Sequence, residues 1–172
     1  DNYNDDKKFH LEHGIRNYSS VTHIPDDAFK KMPEPHPNIE GEFPNLISIG
    51  KNAFNQFKGI IILKDLKMLK TIGENAFDGA THTDSVVEIT DVGNLLESIG
   101  AYAFYKFKGK ITLKNLNKLT TIGYLAFQEA SNTGSEVSIT GEVNRLESIG
   151  ISAFLSFKGK ITLKNLNKLT TI

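Results

Sequence analysis

The 172-residue sequence contains no cysteine, which excludes disulfides and thiolate metal sites within the chain. It carries no net charge, with 20 Lys plus Arg against 20 Asp plus Glu, so nothing draws it as a whole toward nucleic acid or an anionic membrane. Long apolar runs are missing too. The longest, Gly59-Ile60-Ile61-Ile62-Leu63, is strand-sized and far short of the ~20 residues that span a bilayer. No charged-then-apolar leader follows Asp1, so the start reads as processed or trimmed, and a removed signal peptide would leave no trace. Phosphate-cradling, dinucleotide, zinc-helix and nucleophile-elbow motifs are also absent. The usual motif routes to an enzyme are thereby closed, and no cofactor is expected. The length suits one domain with a continuous core.

What is present is a repeated phrase. Ile49-Gly50-Lys51-Asn52-Ala53-Phe54 returns at Ile72–Phe77, Ile99–Phe104, Ile122–Phe127 and Ile149–Phe154, with a degenerate first copy at Ile24–Phe29. The isoleucines are spaced by 25, 23, 27, 23, 27 and 23 residues, so short and long coils alternate in a 50-residue super-repeat. Residues 107–122 and 157–172 are identical, which points to recent duplication. A coil of this size cannot bury its own apolar side. Stability must come from stacking, with equivalent strands forming a parallel ladder and equivalent side chains forming columns.

In a short coil, Lys110-Ile111-Thr112-Leu113 alternates as a strand with Ile111 and Leu113 inward and Thr112 outward. A turn follows at Asn115. Leu116, Leu119 and Ile122 then line a tighter second edge, and Gly123 is expected to permit a bend into a short helical or irregular segment. The Phe column, from Phe29 to Phe154, is the expected spine. Three residues further on, Phe57, Phe107 and Phe157 alternate with Ala80 and Ala130, large against small. The extra residues of the long coils are assigned to Thr81–Ser85 and Ser131–Ser135, expected as protruding loops with His82, Asp84, Asn132 and Thr133 as candidate contacts.

The phrase L-x-x-I-G-x-x-A-F, with an Ile-Thr-Leu-type strand about ten residues later, resembles the BspA-like, or Treponema-type, leucine-rich repeats over about residues 21–172. The family's usual Cys after the Phe is here Phe or Ala, and its common Pro after the strand is Lys64, Lys114 and Lys164. The resemblance implies a leucine-rich-repeat solenoid of stacked β-containing coils with short helical or irregular segments. It further implies a non-catalytic, extracellular or cell-surface protein of a bacterium, binding a protein or glycan on a host or bacterial surface. A structural or self-assembling spacer is the alternative.

The outward strand residues carry the candidate ligand face: Thr112, Lys114, Glu136, Ser138, Thr140, Thr162 and Lys164. Lateral Lys–Glu contacts that keep a parallel sheet in register explain the same residues, each exposed pair contributing about 0–1 kcal/mol. His10 and His13 with Glu12 have metal-ligand spacing but no helix signal or further clustered ligand, and the acidic start Asp1–Asp6 fails as a calcium loop at Tyr3 and Asp6, so no metal is expected. Asn17-Tyr18-Ser19 fits a glycosylation sequon, relevant only in a eukaryotic source.

Residues 1–20 read as an N-terminal capping segment and 21–172 as the solenoid. Met32–Pro37 reads as a rigid extended excursion, with a recognition loop as the other reading. The sequence stops after Thr171-Ile172 part-way through a coil, which suggests a longer array or an edge open to a second copy.

Overall fold

The structure, a computed structural model, describes residues 16–33 and 35–172. Among the described residues thirteen short strands alternate between two parallel sheets as the chain winds, and the apolar columns lie between them. The larger sheet has seven strands: β1 (Arg16–Asn17), β3 (Ile39–Glu42), β5 (Ile61–Lys64), β7 (Val86–Ile89), β9 (Lys110–Leu113), β11 (Glu136–Ile139) and β13 (Lys160–Leu163), stacked in that order. The smaller has six two-residue strands: β2 (His23–Ile24), β4 (Ser48–Ile49), β6 (Thr71–Ile72), β8 (Ser98–Ile99), β10 (Thr121–Ile122) and β12 (Ser148–Ile149). This is the repeat solenoid expected from the periodicity, with the second edge itself a hydrogen-bonded sheet. Arg16–Asn17, placed by the sequence in the capping segment, pairs with β3 as part of the larger sheet.

The alternation is as expected in β9, where Ile111 and Leu113 are fully buried and Thr112 faces out. Between strands the pairing hides an offset. Ile62 pairs with Val86 and Val86 with Lys110, yet Lys110 is the super-repeat counterpart of Ile60. The ladder therefore slips two residues per super-repeat. An even slip preserves which side chains face inward, so it costs no burial. It leaves the Ile61 and Ile111 amides without a ladder carbonyl, and the buried Ser85 and Ser135 hydroxyls accept from them at 3.0 and 2.9 Å. Removing such an acceptor from a buried amide costs about 1–3 kcal/mol.

The third side of each coil, the turn wall, is a chain of tight turns rather than helix. Its alternate amides reach across to the next coil: Phe54, Phe77, Phe104 and Phe127 N–H each donate at 2.7 Å to the carbonyl of the following copy's Ala. Beneath this wall the spine phenylalanines stack ring on ring, from Phe29 to Phe154, with centroids 4.9–5.2 Å apart. Phe107 leans back to within 5.7 Å of Phe77, whose own coil carries the small Ala80 in that column. Large thus interlocks with small, as the sequence alternation implied.

Gly123 stands at the expected bend, between β10 and the turn wall, but without a left-handed φ. Among the described residues Gly79 is the one glycine with positive φ; the repeat glycines instead admit the neighbouring backbone. A Cβ on Gly123 would lie 2.3 Å from the Ala101 amide nitrogen, and one on Gly150 2.3 Å from that of Tyr124. The left-handed residues come two positions later, at Asn52, Asn75, Tyr102, Leu125 and Ser152, with φ of 54–57°, and six positions later, at Gln56, Gly79, Lys106, Glu129 and Ser156.

Candidate functional site

The outer face of the larger sheet brings the sequence-selected residues together. Thr112 pairs with Glu136 and Glu136 with Lys160, while Ser138 pairs with Thr162, so these side chains form adjacent rows across β9, β11 and β13. Lys114 Nζ reaches Glu136 Oε2 at 2.9 Å across the two-residue slip. That contact, reinforced by the charge of Lys160, holds the Glu136 carboxyl below the usual glutamate range. Thr140 and Lys164 lie just beyond their strands, at the same end of the face. Two buried sheet layers fix the backbone below, so the face presents its hydroxyls and charges from a stiff support.

The long-coil turns sit at the other end of β7 and β11. Ser85 N–H closes the first turn on the His82 carbonyl at 3.2 Å, and His82 Nδ1 accepts from the Asp84 amide. Asn132 Oδ1 performs the same task for the Gly134 amide at 2.9 Å. His82 and Asn132 are therefore engaged in shaping their own turns, while Asp84 and Thr133 point to solvent.

The four extra residues of a long coil are shared between this turn and the return loop after the strand. From the paired residues Leu63 and Val87 to the leucine before the next repeat phrase is six residues in the short coil, ending at Leu69, and nine in the long, ending at Leu96. Counted against the next short coil, from the paired Leu113 and Ile89, the spans are six and seven residues, so the extra residues divide differently on the two sides of the long coil. The reason is the register slip, which no letter pattern reveals. Asn94 anchors the return loop: its buried amide donates to the carbonyls of Asp91, Lys114 and Asn115 at 2.7–3.1 Å. Asn144 repeats the arrangement with Gly141, Lys164 and Asn165. The loops carry Val92 and Val143 at their tips, 78% and 79% exposed, and the first overhangs Met68 to form an open notch of about 330 Å³. The paired Asn94 and Asn144, each five residues before a repeat isoleucine, were the available signal.

A second feature missed from sequence is on the turn wall. Tyr102, Tyr105 and Tyr124 meet edge to face at 5.4–5.5 Å, with the Lys106 ammonium 4.9 Å from the centre of the Tyr105 ring. Burial, then the neighbouring Tyr124 phenol, raises Tyr102 above the ordinary phenol range. Because these positions hold unrelated letters in other coils, no periodicity marks them.

Among the described residues no three His, Asp or Glu side chains gather as a metal site, and no helix is long and apolar enough to cross a membrane. His10, Glu12, His13 and the acidic segment Asp1–Asp6 lie outside the described residues.

Comparison with curated proteins and with solved structures gives no match. A family model does match, the BspA type leucine rich repeat region, in six copies over residues 11–132 and 82–172. Such a repeat region is a protein-interaction module. Stacked coils, the isoleucine–glycine–phenylalanine phrase and this match agree, and the chain belongs to the BspA-type leucine-rich repeat family.

Proposed function

We propose that the protein is a non-catalytic adhesion module, exposed outside a bacterial cell, that holds a protein on a host or bacterial surface through the outer face of its larger sheet. The observation that carries this reading is the contiguous patch formed by Thr112, Lys114, Glu136, Ser138, Thr162 and Lys164, laid out by strand pairing on a stiff support. Preorganised groups lose little freedom on binding, so more of their contact energy appears as affinity. The hydroxyls supply hydrogen bonds at the centre and the charges set orientation and encounter rate. Thr140 extends the patch at one end, and Asp84 and Thr133 flank it at the other. A glycan is the second ligand class this hydroxyl-rich surface suits.

The test is binding of the chain to a panel of purified extracellular-matrix proteins, with Ser138→Glu/Thr162→Glu and Lys114→Glu variants alongside. Any ligand engaged by this face should lose roughly 10-fold or more in affinity to the first variant and show a changed salt dependence with the second. A ligand whose affinity ignores both variants would remove the strand face from consideration.

A further inference from the structure

The tyrosine cluster of the turn wall is unlike the rest of that wall. In the repeat, the residues one, two, five and six places after the glycine project outward. In the first coils these positions are polar or glycine throughout, as at Lys51, Asn52, Glu74, Asn75 and Asp78; in the later ones Tyr102, Tyr105, Tyr124, Leu125, Ile151 and Leu155 enter beside the polar Lys106, Gln128 and Glu129. The three tyrosines belong to coils with a neighbour on each side, and Tyr124 is still 46% exposed. Ile151 and Leu155 occupy the equivalent outward positions of the last coil of the given sequence.

Two further observations bear on what such a surface meets. Tyr102 and Leu125 occupy the left-handed positions at φ of 55° and 54°, where the earlier coils use asparagine. A bulky side chain at such a position costs about 1–2 kcal/mol, and the polar coils carry left-handed Lys31 and Gln56 as well. The local charges, moreover, already have partners within the wall. Lys106 lies 3.9 Å from Glu129 and over Tyr105, while Asp78 accepts from Asn55 at 3.1 Å.

We propose that this patch is a second binding surface, separate from the strand face, for a protein segment with apolar side chains and no net charge. An electroneutral surface selects an uncharged partner, because a charged one would have to leave water without gaining a counter-charge. Tyrosines whose rings are held by one another present large amphipathic area with little rotamer freedom left to lose, the property that makes tyrosine prominent at protein hot spots. Protein is favoured over glycan because the Lys106 ammonium covers a face of Tyr105 that a sugar ring would need. This proposal goes beyond the strand-face reading and stands if that reading fails.

The experiment is selection of a random peptide phage library on the intact chain, followed by affinity measurement of the enriched peptides as synthetic probes. The expected peptides are apolar and near neutral, lose ~10-fold or more in affinity to Tyr124→Ala, and change less than about twofold between low and high salt. Ile151→Lys, at an exposed position, gives the same loss without touching the core. Lys114→Glu/Thr162→Glu leaves these peptides unaffected while impairing any strand-face ligand. Enriched peptides that bind Tyr124→Ala and Ile151→Lys as well as the parent chain, or that map to the strand face, overturn the proposal. So does a polysaccharide panel in which binding, rather than peptide capture, depends on Tyr124.

Discussion

The two halves of the turn wall share one backbone and differ in much of what they show to solvent. In the earlier half, Lys51 pairs with Glu74 at 3.2 Å, Asn52 donates to Asp27 at 3.0 Å and Asn55 to Asp78 at 3.1 Å, so the outward residues are spent on neighbouring coils. In the later half phenol rings and aliphatic chains take several of these positions, beside the Lys106–Glu129 pair. Below both, the hydrogen bonds between coils keep the same 2.7 Å length and the phenylalanines the same stacked pitch. A solenoid thus separates two kinds of constraint. Stacking dictates the inner positions in every coil, whereas the outer positions answer only to local conformation and to whatever docks there.

If the halves differ only outside, their interiors must respond alike. Phe77→Ala and Phe104→Ala, each removing a fully buried ring stacked on both sides, are each expected to lose about 3–5 kcal/mol in denaturant unfolding. A large gap between the two would show that the aromatic wall has altered the core beneath it.

Exchanging the left-handed residues probes the surface side of the comparison at smaller scale. Asn52→Leu puts a bulky side chain at φ 56° and removes the donor to Asp27, so it should cost about 1–2 kcal/mol. Leu125→Asn, at φ 54°, relieves strain at a half-buried position and should leave stability unchanged or raise it by up to about 1 kcal/mol. Equal and opposite effects would support the view that the later half accepts strain to display its side chains. Destabilisation by both would mean that Leu125 contributes mainly through packing.

The same division explains what could be read from the letters alone. The inward residues Ile111, Leu113, Phe104 and their copies recur because each must match the one below, so coil number, strand alternation and spine were legible. The second sheet was visible only as an apolar spacing, since its strands are two residues long. The strand face could be assembled because strand alternation fixes the outward set. The register slip could not be seen, because an even offset leaves the pattern of buried letters intact. Tyr102, Tyr105 and Tyr124 were invisible for the opposite reason: three different column positions bring them together, and only the coil-to-coil spacing reveals it.

The smallest expected effect concerns two carboxylates that titrate in opposite directions. Asp78 stands where the polar half of the wall meets the aromatic half, and burial, opposed by the Asn55 donor and the Lys106 charge, raises it above the usual aspartate range. Its ionised form therefore works against folding near neutral pH, and that penalty fades as pH falls through the raised native value. Glu136, on the strand face, is lowered chiefly by the Lys114 hydrogen bond. Its contribution is present above the ordinary glutamate value and is lost as pH falls through the lower native one. Side-chain carboxyl titration by NMR should place Asp78 on the high side and Glu136 on the low side of their unfolded values. Lys114→Met should return Glu136 toward the ordinary range and leave Asp78 where it was, because the two carboxylates lie on different walls of the coil. Movement of both would mean that the walls are electrostatically coupled through the core, and the separation drawn between them would fail.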